Sequence, residues 1–261
     1  MTTYKELKGT NIEVNSSDPS NPLEGQVWFN STSNVLKGQR PNLSGSWASG
    51  GNMNTARVDI GGAGTQSAAL AFGGENSSGT PVAITESYDG STWTELNDLN
   101  TARYGMGGAG TQTAALCFGG TPPLTAATES WNGTNWTEVN DLNSARQLGG
   151  SNGTQTSALL YGGSPTPGGT ANTESWNGTN WTEVNNLNTA RWRLGGTGTD
   201  NTAALAIAGR AASWYANVES WNGTNWTEVN DLNTVKIALG ASGTNTSALA
   251  FGGETNPGAV T

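Results

Sequence analysis

The sequence predicts an all-β protein, a five-bladed β-propeller of four-stranded antiparallel blades, and three observations lead to this prediction. A twelve-residue segment recurs at spacings of 43, 45 and 45 residues, at 85–96, 128–139, 173–184 and 218–229. A tryptophan precedes a basic residue by ten positions in five pairs: Trp47 and Arg57, Trp93 and Arg103, Trp136 and Arg146, Trp181 and Arg191, and Trp226 and Lys236. The 38 glycines suit thin sheets and would destabilise helices. A unit of about 45 residues repeated in fixed phase is typical of a propeller blade.

Each repeat is predicted to supply four strands, a to d in chain order. Strand a is glycine-rich because inner strands crowd a narrow axis, and strand b is the alternating apolar stretch that follows. The starts of strand a are expected near Arg57, Arg103, Arg146, Arg191 and Lys236. The repeated segment supplies strands c and d, joined by a two-residue type I′ turn at Asn132 and Gly133. In that register Trp131 faces Thr134, and period two places Trp136 on the same face of the sheet as Trp131.

The N-terminal region is predicted to close the ring. Residues 26–30 and 34–38 favour a β-hairpin. The fifth unit is followed by no copy of the Trp segment, so N-terminal strands are expected to complete this blade, with 34–40 as strand c and Trp47 in strand d. The predicted domains are an arm at 1–25 and the propeller at 26–261.

Composition argues against several classes of function. With 11 basic and 20 acidic residues the net charge is −9, which disfavours nucleic acid and anionic membranes as partners. The chain has no histidine, the commonest transition-metal ligand, and its only cysteine, Cys117, has no histidine partner for nucleophilic chemistry. The N-terminus lacks an apolar signal region, and no apolar run is long enough to span a membrane. We therefore expect a monomer without a cofactor, a secretion signal or membrane insertion.

The two faces of such a disc differ. The a-to-b and c-to-d turns repeat almost unchanged on one face, which we name the hairpin face. The d-to-a and b-to-c connections differ on the other, which we name the variable face. Its loops are 75–82, 121–125, 164–170, 210–215 and 254–259. In a repeat scaffold, the face on which the loops differ between copies is the face where ligand binding is expected.

Five cations are predicted to begin strand a on the variable face: Arg57, Arg103, Arg146, Arg191 and Lys236. One interpretation is a cradle for an anion or an acidic sugar at the channel mouth. The favoured interpretation is structural: each side chain ties adjacent blades through backbone carbonyls and an upstream acid, because enclosed arginine is usually paired. The upstream acids are Asp98, Asp141 and Asp231.

Five further residues depart from the small residues at aligned positions and are candidate ligand contacts: Tyr104, Trp192, Arg193, Trp214 and Tyr215. Exposed aromatic side chains stack on sugars and anchor interfaces. Packing between blades is the alternative. The carboxylates Glu129 and Glu138, with their copies, could suggest a glycosidase pair, but their recurrence in every blade favours a solvated strand surface, and no catalytic residue is predicted.

The Gly-Gly pair ending strand b, the aromatic residue ending strand c and the Trp opening strand d resemble the kelch repeat over residues 33–261. The kelch resemblance implies a propeller fold. Kelch oxidases that use copper need histidine ligands, which are absent here. Residues 21–31 resemble the start of structural and tail-fibre-like proteins of marine bacteriophages.

These resemblances imply a non-enzymatic binding module of a phage virion, made in the host cytoplasm, that serves as a tail-fibre, receptor-binding or decoration domain. Its expected ligand is a host-surface glycan or protein, and virion proteins are further candidate partners. A protein–protein scaffold of a bacterial or viral assembly is the alternative. A sugar-acting hydrolase ranks third.

Overall fold

A computed structural model describes residues 13–20, 27–38, 47–165 and 168–255. The described residues contain strands and turns but no helix, which confirms the predicted all-β class. The chain divides into two compact units, residues 1–49 and residues 50–261.

The first unit contains a three-stranded sheet. Its strands are β1 (Glu13–Asn15), β2 (Val27–Asn30) and β3 (Val35–Gly38). β2 and β3 pair antiparallel, which confirms the predicted hairpin, and β1 adds in parallel on the other edge of β2. Asp18 accepts hydrogen bonds from Trp28 Nε1 at 3.1 Å, Asn30 Nδ2 at 2.8 Å and Lys37 Nζ at 2.6 Å. The predicted arm thus contains a strand, and the rest of residues 1–25, apart from 13–20, lies outside the described residues.

The second unit is built from repeated sheets, which we call blades. The first repeat contains β4 (Arg57–Val58), β5 (Gly61–Thr65), β6 (Ala68–Phe72), β7 (Glu75–Asn76), β8 (Thr85–Tyr88) and β9 (Trp93–Glu95). The second contains β10 (Gly107–Gly110), β11 (Ala115–Phe118), β12 (Thr128–Trp131) and β13 (Trp136–Val139). The third contains β14 (Gly150–Thr154), β15 (Ser157–Tyr161), β16 (Thr173–Trp176) and β17 (Trp181–Val184). The fourth contains β18 (Gly195–Asp200), β19 (Ala203–Arg210), β20 (Trp214–Trp221) and β21 (Trp226–Val229).

Each of these four repeats forms a four-stranded antiparallel sheet in chain order, with β4 and β7 forming a separate short ladder in the first. The fifth repeat contains β22 (Lys236–Ile237), β23 (Gly240–Gly243), β24 (Ala248–Phe251) and β25 (Glu254–Thr255). It forms two ladders, β22 with β25 and β23 with β24. The four complete blades confirm the predicted unit of four strands a to d.

The inner strands β5, β10, β14, β18 and β23 contact one another in this order. A Cβ added at Gly108 in β10 would lie 2.5 Å from the backbone oxygen of Gly62 in β5, so glycine is required where these strands approach closely. Each inner strand begins four residues after its basic residue, rather than at it. A residue with left-handed backbone conformation, such as Arg193 (φ 53°), intervenes and interrupts the strand.

The register of the c–d hairpin differs from the prediction. Trp131 lies opposite Trp136, two positions beyond the predicted partner Thr134. The turn is wider because Asn132 Oδ1 accepts the backbone N–H groups of residues 134 and 135, each at 2.9 Å, and Gly133 has φ 91° while Asn132 does not take a positive φ. A shift of two residues preserves the side of the sheet, so both indoles still share one face.

The tryptophans that open strand d fill the gaps between blades. Trp136 packs on Phe72 of the preceding blade with ring centroids 4.9 Å apart. The same contact joins Trp181 to Phe118 at 4.8 Å and Trp226 to Tyr161 at 4.8 Å. Each indole N–H also donates to a threonine hydroxyl of the preceding blade at 3.0 to 3.1 Å. The predicted role of the indoles between neighbouring sheets is confirmed.

The fifth repeat ends with a less buried sheet. Phe251 is 38% exposed, whereas its counterparts Phe72, Phe118 and Tyr161 are fully buried. Within the described ranges, β23 does not pack on β5 as the other inner strands pack on their neighbours. Closure of the ring, and with it the count of five complete blades, stays a prediction.

Candidate binding site on the variable face

Four of the five predicted cations are buried in ion pairs. Arg57 contacts Glu86 at 2.9 Å, Arg103 contacts Glu129 at 2.7 Å, Arg191 contacts Glu219 at 3.0 Å, and Arg146 contacts Glu174. All eight side chains are 0–1% exposed. The expected pairing with upstream acids was therefore wrong. Asp98, Asp141 and Asp231 instead accept backbone N–H groups of strand c at 3.1 to 3.3 Å.

Each arginine links strands within its own blade, and Arg103, Arg146 and Arg191 also connect to the blade before them. The Arg191 side chain donates to the carbonyls of Ala206 at 3.2 Å and Asn217 at 2.7 Å in the fourth repeat. Its own carbonyl accepts the N–H of Gly163, in the preceding blade, at 2.9 Å. Burial lowers the pKa of Arg191, and Glu219 opposes this shift. Arginine nevertheless stays protonated, so each pair is a buried charged contact that stabilises the junction between blades.

The two carboxylates of each repeat have different environments. Glu138, Glu183 and Glu228 are exposed, as predicted. Glu86, Glu129, Glu174 and Glu219 are buried, so a solvated surface was the wrong interpretation for these copies. Their second oxygen accepts the backbone N–H of an asparagine at 2.7 to 2.8 Å. Each buried copy therefore contacts an arginine through one oxygen and an asparagine through the other.

Lys236 holds the corresponding position in the fifth repeat. Its Nζ donates to the backbone oxygen of Gly252 at 2.8 Å. Because the four arginine side chains are enclosed, the five cations do not form an exposed ring on the variable face. Ligand binding by this set stays a prediction, and the geometry directs attention to neighbouring residues.

A set of cross-strand pairs lies just outside the inner strands, one in each repeat, and we call them the rim pairs. They are Val58–Glu75, Tyr104–Thr121, Gln147–Ser164, Trp192–Arg210 and Ile237–Glu254. All occupy the same place in the repeat, between the basic residue and the b-to-c loop of the variable face. The first and fifth are aliphatic–glutamate pairs, and the middle three differ from these and from one another, whereas the buried pairs beside them are nearly uniform.

The residue after each rim pair has a left-handed backbone conformation. These residues are Asp59, Gly105, Leu148, Arg193 and Ala238, with φ between 51° and 66°. The last four each donate their N–H to the carbonyl of their counterpart in the preceding repeat, at 2.7 to 2.9 Å. Since four of the five are not glycine, the local conformation is held by this backbone ladder against its intrinsic cost of about 1–3 kcal/mol.

The left-handed residues surround a cavity of about 410 Å³. It is lined by residues of all five repeats, mostly apolar ones such as Met106, Leu194 and Leu239. The charged residues in its lining are Asp59 and Arg193. A volume in this range suits a small ligand.

The fourth repeat places three large side chains in one row across the variable face. Trp192 pairs with Arg210, and Arg210 pairs in turn with Trp214 across the tip of the extended β19–β20 hairpin. The Trp192 ring centroid lies 5.2 Å from Arg210 Cζ and 5.4 Å from Arg193 Cζ. All four residues are half-buried. The fold thus assembles the predicted Trp192, Arg193 and Trp214 into one cluster.

Arg210 was missed as a site residue in sequence reasoning, although the variable loop was predicted to begin there. Its place beside Trp192 depends on a pairing across 18 residues. The only signal was a positive charge after Gly209, where the other repeats have Glu75, Thr121, Ser164 and Glu254. Tyr215 pairs with Gly209 next to the cluster, and Tyr104 pairs with Thr121 in the second repeat. Residues 166–167 and 256–259 of the variable loops lie outside the described residues.

A second depression, of about 450 Å³, lies beside the c–d turn of the second blade. It is lined by Trp131, Gly133 and Asn97 among others. Asn97 Nδ2 donates to the carbonyl of Thr134 at 2.9 Å, and the same bond recurs from Asn140 and Asn185 in the following repeats. Recurrence at successive junctions indicates a structural contact between blades.

Cys117 is fully buried in β11, with its Sγ 3.2 Å from Arg103 Nη2. Burial raises the pKa of the thiol to about 11, and Arg103 opposes part of this shift. The thiolate is the nucleophilic form, so this side chain is unreactive near neutral pH. In the described part of the chain no cluster of three or more Cys, Asp or Glu residues is arranged to hold a metal ion.

The described residues contain no helix that could cross a membrane. No protein-family model matches this chain, and a search of curated proteins finds no significant match.

Proposed function

We propose that this protein is a non-catalytic binding module that recognises a glycan on a host-cell surface through its variable face, as a tail-fibre, receptor-binding or decoration domain of a bacteriophage virion. One observation carries the binding proposal: the rim pairs share one position in the repeat but differ in chemistry, while the contacts beneath them are repeated. A uniform scaffold that presents unequal side chains around a cavity is typical of repeat proteins that bind ligands.

The virion role is supported by the resemblance of residues 21–31 to phage structural proteins. The non-catalytic role is supported by the site itself. The buried glutamates are occupied by arginine and asparagine donors, and the thiol is enclosed. The cluster on the variable face of the fourth repeat supplies stacking and charge but no base, since it consists of Trp192, Arg193, Arg210 and Trp214.

Blocking one face at a time tests the proposal. Ser213 is exposed at the tip of the β19–β20 hairpin on the variable face, and Thr224 is exposed on the c–d turn of the hairpin face. The new cysteine of Ser213→Cys or of Thr224→Cys is coupled to a bulky polyethylene-glycol maleimide. Cys117 should not react with this reagent because its thiol is buried. Binding of each conjugate to host cells, and to an array of their surface polysaccharides, is measured by fluorescence.

We expect the Ser213 conjugate to lose binding and the Thr224 conjugate to retain it. Equal binding by both conjugates would contradict a ligand site on the variable face. Release of new reducing ends from a bound polysaccharide would instead favour the hydrolase, and binding to virion proteins but not to cells would favour the scaffold.

The kelch-like, five-bladed ring closed by N-terminal strands belongs to the same proposal. Deletion of residues 1–49 should then lower the melting temperature of the remaining chain. An unchanged melting temperature would argue against closure by this segment.

A further inference from the structure

The described cations fall into two groups according to their partners. Arg57, Arg103, Arg146 and Arg191 each contact a buried glutamate, Lys37 contacts Asp18, and Lys236 donates to a backbone carbonyl. Within the described ranges, Arg193 and Arg210 have neither a carboxylate nor a hydrogen-bond acceptor as partner. In a chain of net charge −9, two half-buried arginines without an acid are unexpected, since such groups are normally paired.

One donor of each of these two guanidinium groups is enclosed by the protein. The Nε atoms of Arg193 and Arg210 are both buried without an acceptor. The paired arginines also have unpartnered Nε atoms, so the distinguishing feature of these two is that the rest of the guanidinium is unpaired as well. Both rest against the Trp192 ring, a contact that orients a cation without neutralising it.

The cluster also adjoins the cavity at the centre of the variable face. Arg193 lines this cavity together with Asp59 and with apolar side chains from the other repeats. Arg210 lies one pair further out, between Trp192 and Trp214. A ligand that reaches from the cavity across the fourth rim pair therefore meets a mostly apolar surface with one carboxylate, Asp59, and then two guanidiniums and two indoles.

We propose that Arg193 and Arg210 form an anion subsite that binds the carboxylate groups of an acidic saccharide, with neighbouring sugar rings against Trp214 and the apolar wall of the cavity. This inference rests on the proposed glycan-binding function and names the class of its ligand. Guanidinium groups bind carboxylates through charge-assisted, often bidentate hydrogen bonds. Sugar rings present C–H faces that pack on indole and aliphatic groups.

The acidic surface of the protein disfavours a nucleic acid, whose backbone phosphates would be repelled outside this small cluster. An acidic peptide shares the carboxylates but lacks rigid rings to cover the indole. A matched set of probes separates these classes: tetragalacturonic acid carries four carboxylates on sugar rings, maltotetraose is a neutral tetrasaccharide, and tetraglutamate carries four side-chain carboxylates on a peptide.

The repeats themselves provide the substitutions. Gly105 holds the same left-handed conformation as Arg193, and Ser164 holds the place of Arg210 in the third repeat. Arg193→Gly with Arg210→Ser should therefore retain the fold while removing both charges. Glu183→Gln is the control, because it changes one charge at an exposed position of β17 that belongs neither to the rim pairs nor to the cavity lining.

Affinities for the three probes are measured by isothermal titration calorimetry at low and high salt. We expect the unaltered protein to bind tetragalacturonic acid, at least tenfold more tightly than maltotetraose or tetraglutamate, and to lose affinity as salt rises. The double variant should bind it at least tenfold more weakly at an unchanged melting temperature, and the Glu183→Gln control should bind it as the unaltered protein does.

Absence of binding at millimolar tetragalacturonic acid, or equal affinity in the double variant, would overturn the anion subsite. Equal affinity for tetraglutamate would overturn the saccharide class. If the Ser213 conjugate loses cell binding while the double variant retains it, the proposed function stands and this inference falls. If the Ser213 conjugate retains cell binding, the proposed function falls regardless of the calorimetry.

Discussion

The buried Arg146–Glu174 pair allows a sharp test of how the blades are stabilised. Glu174 Oε1 contacts Arg146, and Glu174 Oε2 accepts from Asn143 N at 2.7 Å and Asn143 Nδ2 at 2.8 Å. In Glu174→Gln only one side-chain oxygen remains. Either Arg146 or Asn143 must then face an amide NH₂ group, so two donors oppose each other in a site that is 0–1% exposed.

The expected cost follows from the burial of both partners. Breaking a buried ion pair by removing one charge costs about 3–5 kcal/mol, because the remaining charge is uncompensated. For a chain of this size, that loss lowers the melting temperature by roughly 10 °C. Arg146→Met combined with Glu174→Gln removes both charges and leaves the amide oxygen free for Asn143, so the double variant should lose only about 1–2 kcal/mol.

Urea denaturation at neutral pH, followed by tryptophan fluorescence and far-ultraviolet circular dichroism, measures these free energies of unfolding. Glu183 is the matched control, because it lies opposite Glu174 on the neighbouring strand but is exposed. Glu183→Gln should change stability by less than about 0.5 kcal/mol. A Glu174→Gln variant within about 1 kcal/mol of the unaltered protein, or a double variant less stable than that single one, would refute the reasoning.

Two further predictions use counterparts from other repeats as controls. Because burial raises the pKa of Cys117 to about 11, the folded thiol keeps its proton after the unfolded thiol has lost it, so stability falls as pH rises from about 8.5 towards 11. Cys117→Ala introduces the residue that the first repeat has at this place, Ala71. It should reduce the loss in free energy of unfolding over this pH range by about 3 kcal/mol, as measured by urea titrations at several pH values. Parallel plots of this free energy against pH for the two proteins would contradict the prediction. Gly119→Ala would place a Cβ 2.4 Å from the Arg146 carbonyl oxygen at φ 69°, whereas Gly252→Ala, at φ 66°, meets nothing within 4 Å. By thermal denaturation the first should cost about 2 kcal/mol more than the second, and equal costs would argue against the close packing of successive blades.

The c–d hairpin illustrates how far a local pattern can be trusted. Alternation of side chains placed Trp131 and Trp136 on one face, and this is confirmed. The same pattern could not set the register, because a shift of two residues leaves the alternation unchanged. The side chain of Asn132 decides the register by accepting two backbone N–H groups. The rule that Asn-Gly forms a two-residue turn does not include this competition between side-chain and backbone acceptors.

The arginine partners show a different limit. In the sequence, an aspartate lies five residues before each of three basic residues. In the structure, each of the four arginines instead contacts a glutamate 26 to 29 residues further along the chain. Strand c brings that glutamate beside the start of strand a, and burial then favours the pair that excludes water. The prediction that ringed arginines would be paired was sound, whereas the choice of partner required the sheet.

The sequence by itself determined the period and phase of the repeats, the four strands of each unit, the shared face of the indoles and the loops that differ between copies. These depend on side-chain alternation and turn-forming residues, which act over a few positions. The tertiary structure decided which charges are neutralised and which are left. Arg103 and Arg193 are both arginines of the variable face in sequence, but only the packing of strands distant in the chain encloses the first with Glu129 and leaves the second beside Trp192 and Arg210. Neutralisation depends on distances across strands, and those distances exist only once the blades are assembled.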